Sequence, residues 1–190
     1  MDIKKKNVAV FISGKGSNLK NLIINSFKKK SKFKVNLVIS NNSKAKGLLI
    51  AKKFKIKQKF IKYSGTKSFE KKVFLELKKN KINFICLAGF MRILSKKFIK
   101  NFNGKIINIH PSLLPKYKGL NTHRRAIDNK EKYSGCTVHY VNPKLDSGKI
   151  ILQKKVKIFK NDTVSNLAKR VLKQEHLLYP KALNKILSNL

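Results

Sequence analysis

A chain of 190 residues, 42% hydrophobic and 28% charged, can bury one substantial core, and no apolar run approaches the roughly 20 residues a membrane-spanning helix needs. Its 46 Lys and Arg against 8 Asp and Glu give a formal charge of +38, which invites a nucleic-acid reading. The lysines are nevertheless spread along the whole chain and Arg is confined to Arg92, Arg124, Arg125 and Arg170, so compositional drift fits better and no dedicated nucleic-acid partner is expected.

The basic start, Met1 to Lys6, leads into an apolar segment of only 8–12 and then a glycine loop, which reads as a first strand rather than a signal peptide. Spacing then predicts a helix over 17–30, a strand over 35–40, a helix over 44–55, a strand over 57–61 and a helix over 67–80. The first strand covers 7–13; an apolar strand over 82–88, a short helix over 94–102 and a strand ending at His110 follow. Alternation at this spacing implies parallel pairing through crossover helices, hence an α/β fold with an open doubly wound, mostly parallel, Rossmann-like sheet. Beyond His110 the strands at 135–141 and 150–159 are separated only by a turn and predict an antiparallel C-terminal addition. Residues 163–187 read as a closing helical stretch that Pro180 is expected to divide. No repeat or linker interrupts the chain, so a single domain over 1–190 is expected. Cys86 and Cys136 sit in separate apolar segments without metal spacing, as buried reduced thiols of a cytoplasmic protein would.

Four places carry chemistry. Asn108 and His110, two residues apart at the end of the apolar Lys105-Ile106-Ile107 stretch, would share one face of a strand and project beyond the sheet edge. Pro111 and Pro115 then stop regular structure, leaving a carboxamide donor beside a titratable imidazole, a pair suited to stabilising an oxyanion while a proton moves. The loop Ser13-Gly14-Lys15-Gly16-Ser17-Asn18 joins the first strand to the first helix. It is neither a Walker loop nor a complete dinucleotide fingerprint, so it fits one phosphate monoester at a helix N-terminus, or else an ordinary turn with Ser17 as N-cap. Leu87-Ala88-Gly89-Phe90-Met91-Arg92-Ile93-Leu94 lies at the ligand-binding end of its strand and forms either a flat pocket with a guanidinium or plain core. Asp146, in the turn before the last strand, and Glu175 are acids without an evident local purpose in a chain poor in acids, although an Asp in a turn is usually a turn-former. His123, His139 and His176 have no close metal-binding spacing with Asp146, and no metal is expected.

Together the Gly-Ser-Asn loop, Ala-Gly-Phe-Met-Arg-Ile-Leu, Asn-Ile-His-Pro-Ser-Leu-Leu-Pro, Thr-Val-His-Tyr, Leu-Asp-x-Gly and Gln174-Glu175-His176 resemble, in order and over nearly the full length, the phosphoribosylglycinamide formyltransferases of purine synthesis. The resemblance implies a formyltransferase fold and transfer of a formyl group from 10-formyltetrahydrofolate, as co-substrate, to the amine of 5'-phosphoribosylglycinamide (GAR), without a metal. By similarity, Gly16, Ser17 and Asn18 hold the GAR phosphate and Glu175 its ribose hydroxyls, in the N-terminal, nucleotide-binding half and on the closing helix. Met91, Arg92, Ile93, Leu94 and Val141, with Asn108 and Asp146, form the folate pocket, and Asn108, His110 and Asp146 are the catalytic trio. Small-molecule substrates, no membrane partner, and a monomer or homodimer are expected. Three departures stand out: Asn121 where the family often has His, Ser147 where Gly is common, and a short C-terminal tail. Methionyl-tRNA formyltransferases share the catalytic motifs and would suit the basic charge, but normally carry a C-terminal barrel for which the chain has no room, and lack the Gly-Ser-Asn loop. Formyltetrahydrofolate hydrolases use water as acceptor and normally bear an N-terminal regulatory domain.

Overall fold

The computed structural model describes residues 5–188; the basic start at Met1, Asp2, Ile3 and Lys4, and residues 189–190, lie outside them. Strands and helices alternate as β1 (Lys6–Ile12), α1 (Ser17–Phe27), β2 (Phe33–Ser40), α2 (Lys46–Lys53), β3 (Lys57–Phe60), α3 (Thr66–Lys79), β4 (Phe84–Leu87), α4 (Lys96–Asn101) and β5 (Lys105–His110). Then come α5 (Thr122–Asp128), β6 (Tyr133–Tyr140), β7 (Ile150–Lys157) and α6 (Val164–Ser188).

The seven strands form one sheet in the order β3-β2-β1-β4-β5-β6-β7, parallel from β3 to β5 and antiparallel from β5 to β7. This is the doubly wound sheet with an antiparallel addition that the strand spacing predicts. Because the chain works outward from β1 to β3 and returns to β4 on the other side of β1, a crevice opens at the carboxyl ends of β1 and β4. The pleat explains the two cores. Val8, Val10 and Ile12 face one layer with Leu19, Leu22, Ala51 and Val171, whereas Ala9 and Phe11 face the other with Phe69, Val73 and Phe98. Each fully buried aliphatic side chain of this kind contributes about 1.5–3 kcal/mol. The β3 edge keeps its exposed face charged, with Lys57 and Lys59, which discourages pairing with another chain.

One expectation needs correction, and one helix is additional to those expected. Pro180 does not divide α6, which runs unbroken through it. Proline removes one backbone donor at a cost of about 3 kcal/mol. Burial of Leu178, Tyr179, Ala182, Leu183, Ile186 and Leu187 around it outweighs that cost. Helix α5 is absent from the sequence reading, because Thr122–Asp128 offers only Ala126 and Ile127 as apolar residues and so has no periodicity to detect. Glu70, which sits among lysines in the sequence, turns inward: its carboxylate accepts from the Ser95 N–H (2.7 Å) and Ser95 Oγ (2.6 Å). Ser95 in turn caps α4 through the Phe98 N–H, so this acid anchors the helix that follows the Gly89–Leu94 segment.

Candidate active site

The loops after β1 and β4 and the end of β5 meet over a cavity of about 950 Å³. Asn108, His110 and Asp146 line it together with Asn18 of α1 and Glu175 of α6, and with Met91, Arg92, Ile93 and Leu94 after β4 and Val141 after β6. Of Gly16, Ser17 and Asn18, only Asn18 lines this cavity.

The loop itself is held from two sides. Ser13 donates its N–H to Gly89 C=O (3.0 Å) and accepts at Oγ from the Met91 N–H (2.8 Å), which joins the β1 loop to the β4 segment. Gly47 donates its N–H to Gly14 C=O (3.1 Å), so the start of α2 lies against the loop's back. Gly16 has φ +76°, and a Cβ there would stand 2.6 Å from Gly47 Cα; only glycine fits both demands. Gly16, not Ser17, occupies the N-cap position of α1, with no side-chain cap. The first helical bond is Lys20 N–H to Gly16 C=O, so the N–H groups of Ser17, Asn18 and Leu19 have no helical acceptor, the arrangement that favours an anion.

Asn18 Nδ2 donates to Glu175 Oε2 at 2.7 Å, while Asn18 Oδ1 is buried without a partner among the described residues. Burial raises the Glu175 carboxyl above the usual carboxylate range and the Asn18 bond pulls it partly back. On the other wall the Arg92 guanidinium stacks 4.3 Å over the Tyr63 ring, beside exposed Met91 and Ile93, and Leu94 anchors the segment in the core.

At the centre, His110 donates Nε2–H to Tyr117 C=O at 2.9 Å, which fixes that proton because a carbonyl can only accept. Its Nδ1 then faces Asp146 Oδ2 at 3.3 Å, a contact that becomes attractive when Nδ1 is also protonated. Asp146 Oδ2 accepts the Gly119 N–H at 2.9 Å, and Asn108 Nδ2 reaches Asp146 Oδ1 at 3.4 Å. Tyr117 and Asp146 both hold left-handed backbone, at φ 56° and 45°, the turns that aim the carbonyl and the carboxylate at one ring. His139 completes the cluster. It lies directly opposite Asn108 across the β5–β6 pair, donates Nδ1–H to Tyr140 C=O (2.8 Å) and presents Nε2 to Asn108 Nδ2 (3.3 Å) and Asp146 Oδ1 (3.6 Å).

Burial is the largest influence on His110 and holds it below the usual imidazole value, although Tyr117 and Asp146 pull the other way. For Asp146, burial raises the carboxyl, but His139, the Gly119 N–H and His110 together bring it below the usual carboxylate range. The site therefore holds an ionised carboxylate against an imidazole that gives up its second proton readily. Such a pair takes and returns one proton.

The sequence reading weighed His139 only as a metal ligand and within the Thr-Val-His-Tyr motif, gave it no place beside the trio, and did not include the Tyr117 carbonyl or the Gly119 N–H. The alternation of Thr137-Val138-His139 within a strand gives the side to which His139 points, but its pairing with Asn108 depends on register across the sheet. His123, at the start of α5, also lines the cavity, with a buried Nδ1 that has no partner among the described residues. Asn121 precedes α5 in left-handed backbone and contributes no side-chain cap. Ser147 Oγ lies 3.0 Å from Asn142 Oδ1 and 2.8 Å from Lys144 O, bonds that tie the Asp146 loop to itself.

Residues 6–183 match the formyl transferase family. The phosphoribosylglycinamide formyltransferase of Haemophilus influenzae is 43% identical over 178 residues, 92% of this chain and 84% of that protein. The Homo sapiens trifunctional purine biosynthetic protein adenosine-3 is 43% identical over 188 residues, 97% of this chain but 19% of that protein, so the chain spans about a fifth of that relative. Among solved structures, phosphoribosylglycinamide formyltransferase from Anaplasma phagocytophilum superposes with a TM-score of 0.93 at 42% identity, covering 98% of this chain and 88% of that one. The chain belongs to the formyl transferase family and, within it, to the phosphoribosylglycinamide formyltransferases.

Proposed function

We propose that this enzyme transfers the formyl group of 10-formyltetrahydrofolate to the amine of GAR, giving formyl-GAR and tetrahydrofolate for purine synthesis, and that one domain does so. The observation that carries the reading is that Asn108, His110 and Asp146, in contact with one another, share one cavity with the Asn18–Glu175 pair and the Arg92 segment. Gly16, Ser17 and Asn18 would take the phosphate on backbone N–H groups, and Glu175 would accept from the ribose hydroxyls. Met91, Arg92, Ile93, Leu94 and Val141 would hold the folate, leaving its formyl carbon beside Asn108.

The neutral amine attacks the formyl carbon, and a carbon–nitrogen bond forms as the carbonyl pair moves onto oxygen. Asn108 donates to that oxyanion, and its two existing contacts, 3.3 and 3.4 Å long, are loose enough to be exchanged for a shorter one. The cationic nitrogen gives its proton to the Asp146–His110 pair. Negative charge on the oxyanion beside the ring favours the imidazolium, which counters the lowering effect of burial. The pair then protonates the folate nitrogen as the old carbon–nitrogen bond breaks, so the site ends as it began. No step calls for a metal. Among the described residues no helix is long and apolar enough to cross a membrane; cytoplasmic action on small molecules, as monomer or homodimer, fits two buried free cysteines.

The test mixes purified protein with GAR and 10-formyltetrahydrofolate and follows the deformylated folate by absorbance. Release is expected only when GAR is present. Equal release without GAR would identify a hydrolase, and no release under either condition would sink the reading.

A further inference from the structure

Tyr179 heads the fully buried side chains of the structure in size. It sits on α6 four residues beyond Glu175, in the core between that helix and the sheet. Phenylalanine would fill the same volume without desolvating a hydroxyl, so the hydroxyl needs a reason. It donates to Leu87 C=O at 2.9 Å and to Ile107 C=O at 3.1 Å, one proton shared between two strands. Leu87 is the last residue of β4 and the register partner of Asn108 on β5. Beyond Leu87 the chain leaves the sheet to form the Gly89–Leu94 wall of the cavity. The Ile107 carbonyl belongs to the peptide unit whose nitrogen is that of Asn108. Since that unit is planar, holding its oxygen sets where the Asn108 Cα lies, and the pairing of Asn108 with His139 on β6 then limits the direction in which its side chain departs.

We propose that Tyr179 is a positioning residue for formyl transfer: its buried hydroxyl clamps the Leu87–Ala88 and Ile107–Asn108 peptide units where β4 and β5 part, and so aims the Asn108 amide at the reacting oxygen. The proposal rests on the formyl-transfer reading. Tyr179 touches neither substrate nor reacting atoms and acts through Asn108. Burial and the neighbouring Cys86 hold the phenol well above its usual value, so the clamp keeps its proton across the working pH range. Because α6 also carries Glu175, one helix supports the ribose end and the oxyanion end of the cavity.

The experiment compares Tyr179→Phe with the unaltered enzyme in the GAR-dependent assay. A displaced donor costs rate rather than binding, so kcat should fall by about tenfold. KM for GAR should stay within about twofold, because the Asn18–Glu175 bond does not use the phenol. In an Asn108→Ala background, Tyr179→Phe should cost no further kcat. Site-specific 4-aminophenylalanine at 179, which still donates, should restore most of the rate; 4-fluorophenylalanine, which fills the space without donating, should not. These two variants decide the matter if the phenylalanine protein fails to fold. An unchanged kcat with only a lower melting temperature would overturn the proposal, as would an equal loss in the Asn108→Ala background. Absence of GAR-dependent transfer by the unaltered enzyme would instead remove the reading beneath it.

Discussion

Replacing Asp146 by asparagine isolates the charge of the carboxylate from its shape. Asparagine tolerates the left-handed backbone at this position, φ 45°, so the turn should survive. The carboxamide oxygen can still accept the Gly119 N–H, and its NH₂ can turn toward His139 Nε2, which now stands 3.6 Å from Oδ1. What disappears is the negative charge 3.3 Å from His110 Nδ1. At an effective dielectric constant near 20, a charge pair at that separation is worth about 5 kcal/mol. The amide dipole recovers part of this, leaving a loss of about 4 kcal/mol, or about 10³ in kcat. GAR binding, measured by titration calorimetry, should change little, because Asn18 and Glu175 are untouched. A kcat within tenfold of the unaltered enzyme would refute the proton-exchange role, and loss of GAR binding would show that Asp146 holds the site's shape instead.

Three further perturbations probe the proposed nucleotide end. Gly16→Ala combines a left-handed backbone with a Cβ 2.6 Å from Gly47 Cα. It should destabilise the protein by about 2–4 kcal/mol and lower Tm by roughly 4–16 °C, while raising KM for GAR. A melting curve superimposable on that of the unaltered enzyme would contradict the close packing of α2 on the loop. KM for GAR should also rise on acidification, beginning above the ordinary glutamate range, because burial raises Glu175 and its acceptor form is lost as pH falls through that value. Glu175→Gln should raise KM by about 10–100-fold at neutral pH and flatten this dependence; a pH profile unaltered by the substitution would assign the titration to another group.

The doubly wound half was legible because β1, β2 and β4 are short apolar runs, bounded by turns and separated by helical spacing. The later half was less so. Helix α5 has too few apolar residues to show a period, and at Pro180 the local rule against proline loses to the burial of six neighbours, a tertiary effect no window of sequence contains. In the site, Asn108 and His110 could be paired in advance by the two-residue period of a strand. Asp146 joins them only because two loops adopt left-handed turns, and the composition of Pro143-Lys144-Leu145-Asp146 does not specify where such a turn will point. His139 arrives through the antiparallel register of β6, and Tyr179 through the docking of α6. Each depends on contacts far apart in sequence.

The inward turn of Glu70 onto Ser95 belongs to a wider economy of negative charge. Of the 8 acids, Asp2 lies outside the described residues and the Asp128 carboxylate makes no hydrogen bond or ion pair among them. The other six are all engaged: Glu70 with Ser95, Glu76 with Lys59, Glu131 with Lys116 and Tyr117, Asp162 with Arg170, Asp146 with its imidazoles and Glu175 with Asn18. In a chain that has filled its surface with lysine, an acid survives mainly where a backbone amide, a cation or a substrate requires one. The scarce carboxylates thus mark the positions where exchanging a single oxygen for nitrogen has the largest consequence, and an amide scan of six residues would trace both the fold's anchors and its chemistry.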